Sequence, residues 1–150
     1  LLPLFMFASN QSSFSADDTI IVESYDIEVG EEIYAGDAVM MLNTGKIAKS
    51  RSLSDYQNRT IGIAKESGVG GDKILVQISG RIYYDGYSFT NIGRQVFART
   101  NYNGMNISED ILSSPTSTED MIICLGKIDS EKSFILNIVE IPFESGVYQA

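Results

Sequence analysis

The chain has 150 residues with 11 Lys or Arg against 20 Asp or Glu, a net charge of −9, one cysteine and no histidine. Without histidine, Ser-His-Asp and Cys-His catalysis within the chain is excluded, and one cysteine excludes an internal disulfide and a Cys-rich metal site. The acidity opposes a nucleic-acid partner, and 43% hydrophobic content is enough for one globular domain or two half-domains sharing a core.

Residues 1–7, Leu1-Leu2-Pro3-Leu4-Phe5-Met6-Phe7, form an unbroken apolar tip, too short to cross a bilayer. Residues 8–18 are rich in Ser, Asn, Gln and Asp and read as a flexible leash, with a reach on the order of 30 Å. The tip is therefore expected to be an arm that seats on a partner through Leu2, Leu4, Phe5 and Phe7. Strands are predicted over 19–25 and 27–34, the second broken at Gly30. Residues 38–42 and 46–49 flank Asn43-Thr44-Gly45 and predict a hairpin with Gly at a positive φ.

Residues 52–58 are predicted as a short helix, with Ser54 as a possible cap. Strands follow over 60–64, 74–78 and 81–84, with a turn in Gly68-Val69-Gly70-Gly71-Asp72. That glycine cluster lacks the Lys-Ser/Thr ending of a phosphate loop and leads into a strand. Tyr83, Tyr84, Tyr87 and Phe89 form an aromatic run, read as core and interface aromatics and, in a second reading, as a sugar-stacking platform. Asn103-Gly104 predicts a type I′ hairpin turn. Residues 117–120 predict a second short helix, and Cys124, inside Met121-Ile122-Ile123-Cys124-Leu125, reads as a small core residue. Residues 134–141 give the last strand.

The chain says nearly the same thing twice. Gly36 and Gly93 stand 57 positions apart, Gly62 and Gly126 64, and Ile74 and Phe134 60. In each half a Gly turn opens a hairpin, a predicted helix follows, then an Ile-Gly-Ile or Leu-Gly-Lys strand, then a terminal strand. A repeat of this size is a statement about fold. The expected fold is all-β, with duplicated barrel- or sandwich-like modules and short helical insertions. The expected boundaries are 1–18 for arm and linker, 19–90 for the first module and 91–150 for the second.

Candidates for chemistry are few. Asp55, Asp85, Glu109 and Asp110 are carboxylates in polar loops and read as solvated surface. Asp17-Asp18 and Glu119-Asp120 lack the spacing of a calcium loop. Asn10, Asn58 and Asn106 begin glycosylation triplets, a pattern common by chance. No catalytic, cofactor or metal residue is assigned, and no enzyme activity is expected.

Gly36, Val39, Gly62, Ala64, Gly71, Val76, Ile78 and Gly80 follow a progression of glycine turn, hairpin, Ile-Gly-x-Ala, glycine-rich turn and alternating strand. It resembles bacteriophage head decoration (capsid cement) proteins over 27–84, with a second copy over 90–140. The resemblance implies a non-enzymatic virion protein on the capsid surface. Its partners would be the major capsid protein and copies of itself, often as a trimer, with no cofactor, nucleic acid or membrane. Related modules in head and tail fibres leave a receptor- or carbohydrate-binding module as the alternative. A third resemblance is to biotinyl and lipoyl carrier domains. It rests on residues 30–39 and on Lys46 in a hairpin, but Lys46 lies between Gly45 and Ile47, outside the sequence context those domains use.

Overall fold

The computed structural model describes residues 20–54, 59–100 and 104–143. Its described strands are β1 Ile21–Asp26, β2 Glu32–Ile33, β3 Ala38–Met41, β4 Ile47–Lys49, β5 Arg59–Ala64, β6 Gly68–Val69, β7 Lys73–Ser79, β8 Arg81–Tyr83, β9 Gln95–Ala98, β10 Ile107–Ser108, β11 Met121–Ser130 and β12 Ser133–Pro142. No helix occurs among the described residues, and the fold is all-β, with no helical insertion at 117–120 and none in the described start, 52–54, of the other. Residues 52–54 are irregular, ending in a turn at Ser54, with 55–58 outside the described part, and 117–120 form a bend in which Thr116 Oγ1 accepts the Glu119 N–H at 2.9 Å. The physical reason is that these two matched segments brace each other. The Ser52 carbonyl accepts the N–H groups of Asp120 (2.7 Å) and Met121 (3.1 Å), and the Ser54 hydroxyl donates to Asp120.

The duplication is visible in the topology. The first sheet has the order β4-β3-β5-β7-β1 and the second β10-β9-β11-β12-β8. In both, a hairpin leads into a long strand, and the strand that begins the unit returns to the far edge. The match extends to single residues. Gly36 (φ +92°) and Gly93 (φ +89°) each lie two residues before the hairpin strand. Gly62 faces Val39, the second residue of β3, and Gly126 faces Val96, the second residue of β9. Beside each, one residue is skipped in the register, Ile61 in β5 and Leu125 in β11, so the two halves carry the same β-bulge. A Cβ on Gly62 would come within 2.2 Å of the Gln77 carbonyl oxygen, and on Gly126 within 1.8 Å of that of Ile135. Both glycines let the next strand's backbone approach. The second sheet begins with β8, so the boundary between sheets falls at Gly80, ahead of the expected start of the second module at 91.

Strand periodicity places the core. Val39, Ala64 and Val76 pack with Ile27, Ile33, Ile47 and Ile74 in one cluster. Their neighbours Ala38 and Ile63 point to the opposite face. There they join Ile82, Val96, Ala98, Ile123, Leu125, Ile128 and Phe134 in a second cluster. The central strands of the first sheet are thus buried on both faces, which explains runs such as Ala38-Val39-Met40 that do not alternate. The short β2–β6 pair, Glu32 to Val69 and Ile33 to Gly68, stands beside the first cluster through Ile33.

Other predicted elements differ in detail. The hairpin over 43–45 forms, with Gly45 at φ +85°. The second hairpin also forms, Ala98 facing Ile107 and the Arg99 N–H donating to the Asn106 carbonyl at 2.7 Å, but its expected turn at Asn103-Gly104 lies partly outside the described residues. Cys124 lies half-buried on the outer face opposite Val139, and not in the core. Its Sγ donates to Gln95 Oε1 at 3.3 Å, and burial pushes the thiol pKa up.

Candidate interaction surface

The aromatic run is divided by strand alternation and by the loop after β8. Tyr87 and Phe89 are 3% and 7% exposed and belong to the core, so they cannot present rings to a partner. Their rings stand 4.9 Å apart, and Phe89 meets Phe134 edge-on at 6.2 Å. The Tyr87 hydroxyl donates to the Gly36 carbonyl at 2.8 Å. Burial raises its pKa, with the nearby charge of Asp37 adding to the effect. Tyr83 is exposed, as β8 requires when Ile82 points inward. Tyr84 is held against Gly36, where a Cβ would come within 2.8 Å of its ring. Tyr83 and Tyr84 line a cleft of about 160 Å³ with Ile63, Ala64, Ile82, Lys65 and Asp85. Leu2, Leu4, Phe5 and Phe7 lie outside the described residues.

Between the two sheets runs a polar seam that sequence reading did not single out. The Asn106 side chain acts as a peptide group beside β3. Its Oδ1 accepts the Ala38 N–H at 2.8 Å, and its Nδ2 donates to the carbonyls of Ala38 and Ser50, each at 3.0 Å. Its own N–H donates to Asp37 Oδ1 at 3.1 Å. Asn106, the first residue of a glycosylation triplet, is therefore buried with its side-chain nitrogen already engaged. Asp37 is fully buried, accepts the Tyr34 N–H at 2.8 Å and meets Lys49 Nζ at 3.3 Å. Lys49 Nζ also donates to the Gly104 carbonyl at 2.6 Å and lies 4.8 Å from the Tyr34 ring centroid. Burial raises the Asp37 pKa, against the lowering effect of the Tyr34 N–H and the Lys49 charge.

A second seam cluster joins Arg99, Glu119, Ser52 and Thr100. Arg99 donates to both Glu119 oxygens, at 2.7 and 2.8 Å, and Ser52 Oγ adds a bond at 2.8 Å. The Arg99 bonds hold the Glu119 carboxyl at a pKa of about 2. Glu109 caps the backbone N–H groups of Thr90 and Asn91. These acids serve structure. No group of three or more potential metal ligands gathers among the described residues. Lys46 follows the hairpin tip and is half-buried, its carbonyl accepting the Leu42 N–H.

A further exposed apolar surface is β1. Ile20, Ile21 and Val22 are exposed at the edge of the first sheet, beside Leu75. No protein-family pattern and no curated protein matches the chain.

Proposed function

We propose that this chain is a non-enzymatic structural protein of a virion. It decorates a phage capsid and stabilises it by binding the major capsid protein, as an assembly of copies of itself. The observation that supports the reading is the set of residues carrying the resemblance, each with a backbone or core role. Gly36, Gly71 and Gly80 have positive φ, Gly62 admits the next strand, and Val39, Ala64 and Val76 fill one core. The motif is thus an architectural one, and the chain carries its architecture twice. A rigid doubled β body suits a part that works by repeated weak contacts, since symmetric repetition over a shell multiplies avidity.

The test is an antibody against the chain, imaged on virions. Even labelling of the head shell is expected, together with co-sedimentation of the purified chain with assembled shells and not with free capsid subunits. Label confined to a tail or to head fibres would overturn the assignment. The fibre reading has one observation in its favour, the Tyr83–Tyr84 cleft with Lys65 and Asp85 at its rim, which offers a sugar ring a stacking face and hydrogen-bonding groups. A glycan array separates the two readings.

A further inference from the structure

The internal duplication supplies its own comparison. β1 and β8 hold the same place, outside β7 and β12 respectively. β8 has three residues, and its middle residue, Ile82, is wholly buried. β1 is twice as long, and five of its six residues are exposed, with Tyr25 half-buried. Ile21 and Val22 are 44% and 41% exposed, and Leu75, which faces Ser24, is 40% exposed. The strand carries no proline and no lysine, and among the described residues no strand lies on its outer side. An edge of this kind is a template for another strand.

The remaining sheet edges match it less well, β12 past β8 included: residues 136–142 have no strand on that side among the described residues, but Glu140 there is bonded to the Thr60 N–H of β5 and the strand ends in proline. β10 has two residues and β8 three. β4 has three, and its outer side is taken by its own chain: the Ile47 carbonyl accepts the Glu28 N–H at 2.9 Å, and the Lys49 N–H donates to Glu31 Oε1 at 3.1 Å. A head-to-tail ring through this sheet therefore has no receiving edge. The edge that matches β1 best is β1 of another copy.

Charge and register then select one pairing. Antiparallel strands related by a twofold normal to the sheet keep their faces aligned only if the axis passes through a residue. An axis at Glu23 sets that carboxylate against its own copy, which is unfavourable. An axis at Val22 falls on the register irregularity between Ile21 and Val22. An axis at Tyr25 shortens the ladder, because the Ile27 N–H and carbonyl are taken by Asp72 and Gly71. An axis at Ser24 sets Glu23 opposite Tyr25 and Val22 opposite Asp26, with no like charges facing. Tyr25 already donates to Glu23 Oε1 at 2.7 Å within the chain, so this pair of groups is compatible.

We propose that two copies of this chain join through β1, antiparallel and edge to edge, across a twofold axis at Ser24. The two five-stranded sheets become one continuous sheet of ten. The proposal rests on this geometry alone and stands or falls apart from the capsid assignment. It makes the pair of copies the unit of assembly, where the resemblance implies three.

The test uses the full chain with Cys124→Ser and single cysteines at Glu23→Cys, Ser24→Cys or Tyr25→Cys, under mild oxidation. Facing side chains in such a ladder have Cβ atoms about 4.5–5.5 Å apart, close to disulfide reach. Ser24→Cys should cross-link to completion as a dimer. Glu23→Cys and Tyr25→Cys should each fail alone and cross-link when mixed. By sedimentation the chain without cysteine substitutions should be a dimer, and Ser24→Lys, which places lysine against lysine, should be a monomer that still melts cooperatively, at a melting temperature lower than the dimer's and independent of concentration. A monomer at high micromolar concentration would overturn the proposal. So would a trimer, cross-linking at position 23 alone, or a dimer that Ser24→Lys leaves intact. Slow amide exchange of β1 in a monomer would assign its cover to residues 1–19 of the same chain, and would overturn it equally.

Discussion

At the scale of single residues, the two strand glycines make the strongest claim, because a methyl group has nowhere to go. Gly126 combines φ +148° with the Ile135 carbonyl oxygen 1.8 Å from where a Cβ would stand. Backbone is the obstacle, so no side chain can swing aside. Gly126→Ala should destabilise by roughly 3 kcal/mol or more, read as a shift in denaturant midpoint. Gly104→Ala is the control. It has no positive φ and nothing within 4 Å of a new Cβ, so it should be neutral or stabilising by about 0.5 kcal/mol. Glu119 gives the pH prediction. Its folded pKa of about 2 lies below the ordinary 4.5, so its contribution is full above about 4.5 and is lost as pH falls toward 2. Asp37 acts in the opposite sense, since its raised pKa favours the folded state more as it takes up a proton. Glu119→Gln should therefore lose stability at neutral pH, on the order of 1–3 kcal/mol, and the gap to the wild type should close between pH 4.5 and 2. Thermal melts across that range check it; a gap that persists at pH 2 would mean the Arg99 bonds are not its source.

At the scale of elements, turns with special φ were legible and turns without it were not. Asn43-Thr44-Gly45 announced its hairpin because Gly45 has to take φ +85°. The tight turn at Glu131 and Lys132, joining β11 to β12, carries no such residue. A register irregularity between Ile128 and Ser130 absorbs the strand twist instead, so no glycine or asparagine was needed to mark it. The helix expected at 117–120, and the described start at 52–54 of the one expected over 52–58, are not helical for another reason. Short polar segments were read by local propensity, while their hydrogen bonds run to each other across some 66 positions of sequence. The seam was illegible for the same cause: nothing near Asn106 in sequence shows that Ala38 and Ser50 will lie beside it. The arm at 1–7 yields a prediction at this scale. Among the described residues, the buried members of both clusters lie between Ile27 and Phe134. Deleting Leu1 to Phe7 should leave the melting temperature nearly unchanged while weakening the capsid binding proposed above. Unfolding with binding spared would make the segment core.

At the scale of the whole molecule, the question is whether a doubled chain behaves as two units or as one. The topology argues for two, since each half has its own five-stranded sheet and bulge. The bonding argues for one. Ala38 and Ile63 of the first sheet lie in the cluster of the second, and Asn106 ties β3 to the second hairpin. Further along, the Thr60 N–H donates to Glu140 at 3.0 Å, and Gln77 Nε2 donates to the Arg81 carbonyl at 2.7 Å. Buried polar groups of this kind are severe when half-satisfied. Once the seam opens, Asp37 and Asn106 lose their partners together, and neither sheet keeps its full core. Unfolding should therefore be one transition, with the calorimetric and van't Hoff enthalpies equal. Asn106→Ala strands the N–H of Ala38 and removes the Asn106 bond to the carbonyl of Ser50, while the Ala38 carbonyl keeps the Ser50 N–H at 2.9 Å. It should cost roughly 3 kcal/mol, or on the order of 10 °C in melting temperature for a chain of this length, and still melt once. Hydrogen exchange resolved by peptide gives the decisive reading: β3, β5 and β7 should exchange at the rate of β9, β11 and β12, in the wild type and in Asn106→Ala alike. If the variant instead melts in two steps, with one sheet outlasting the other, the halves are autonomous and the seam is only a contact between them.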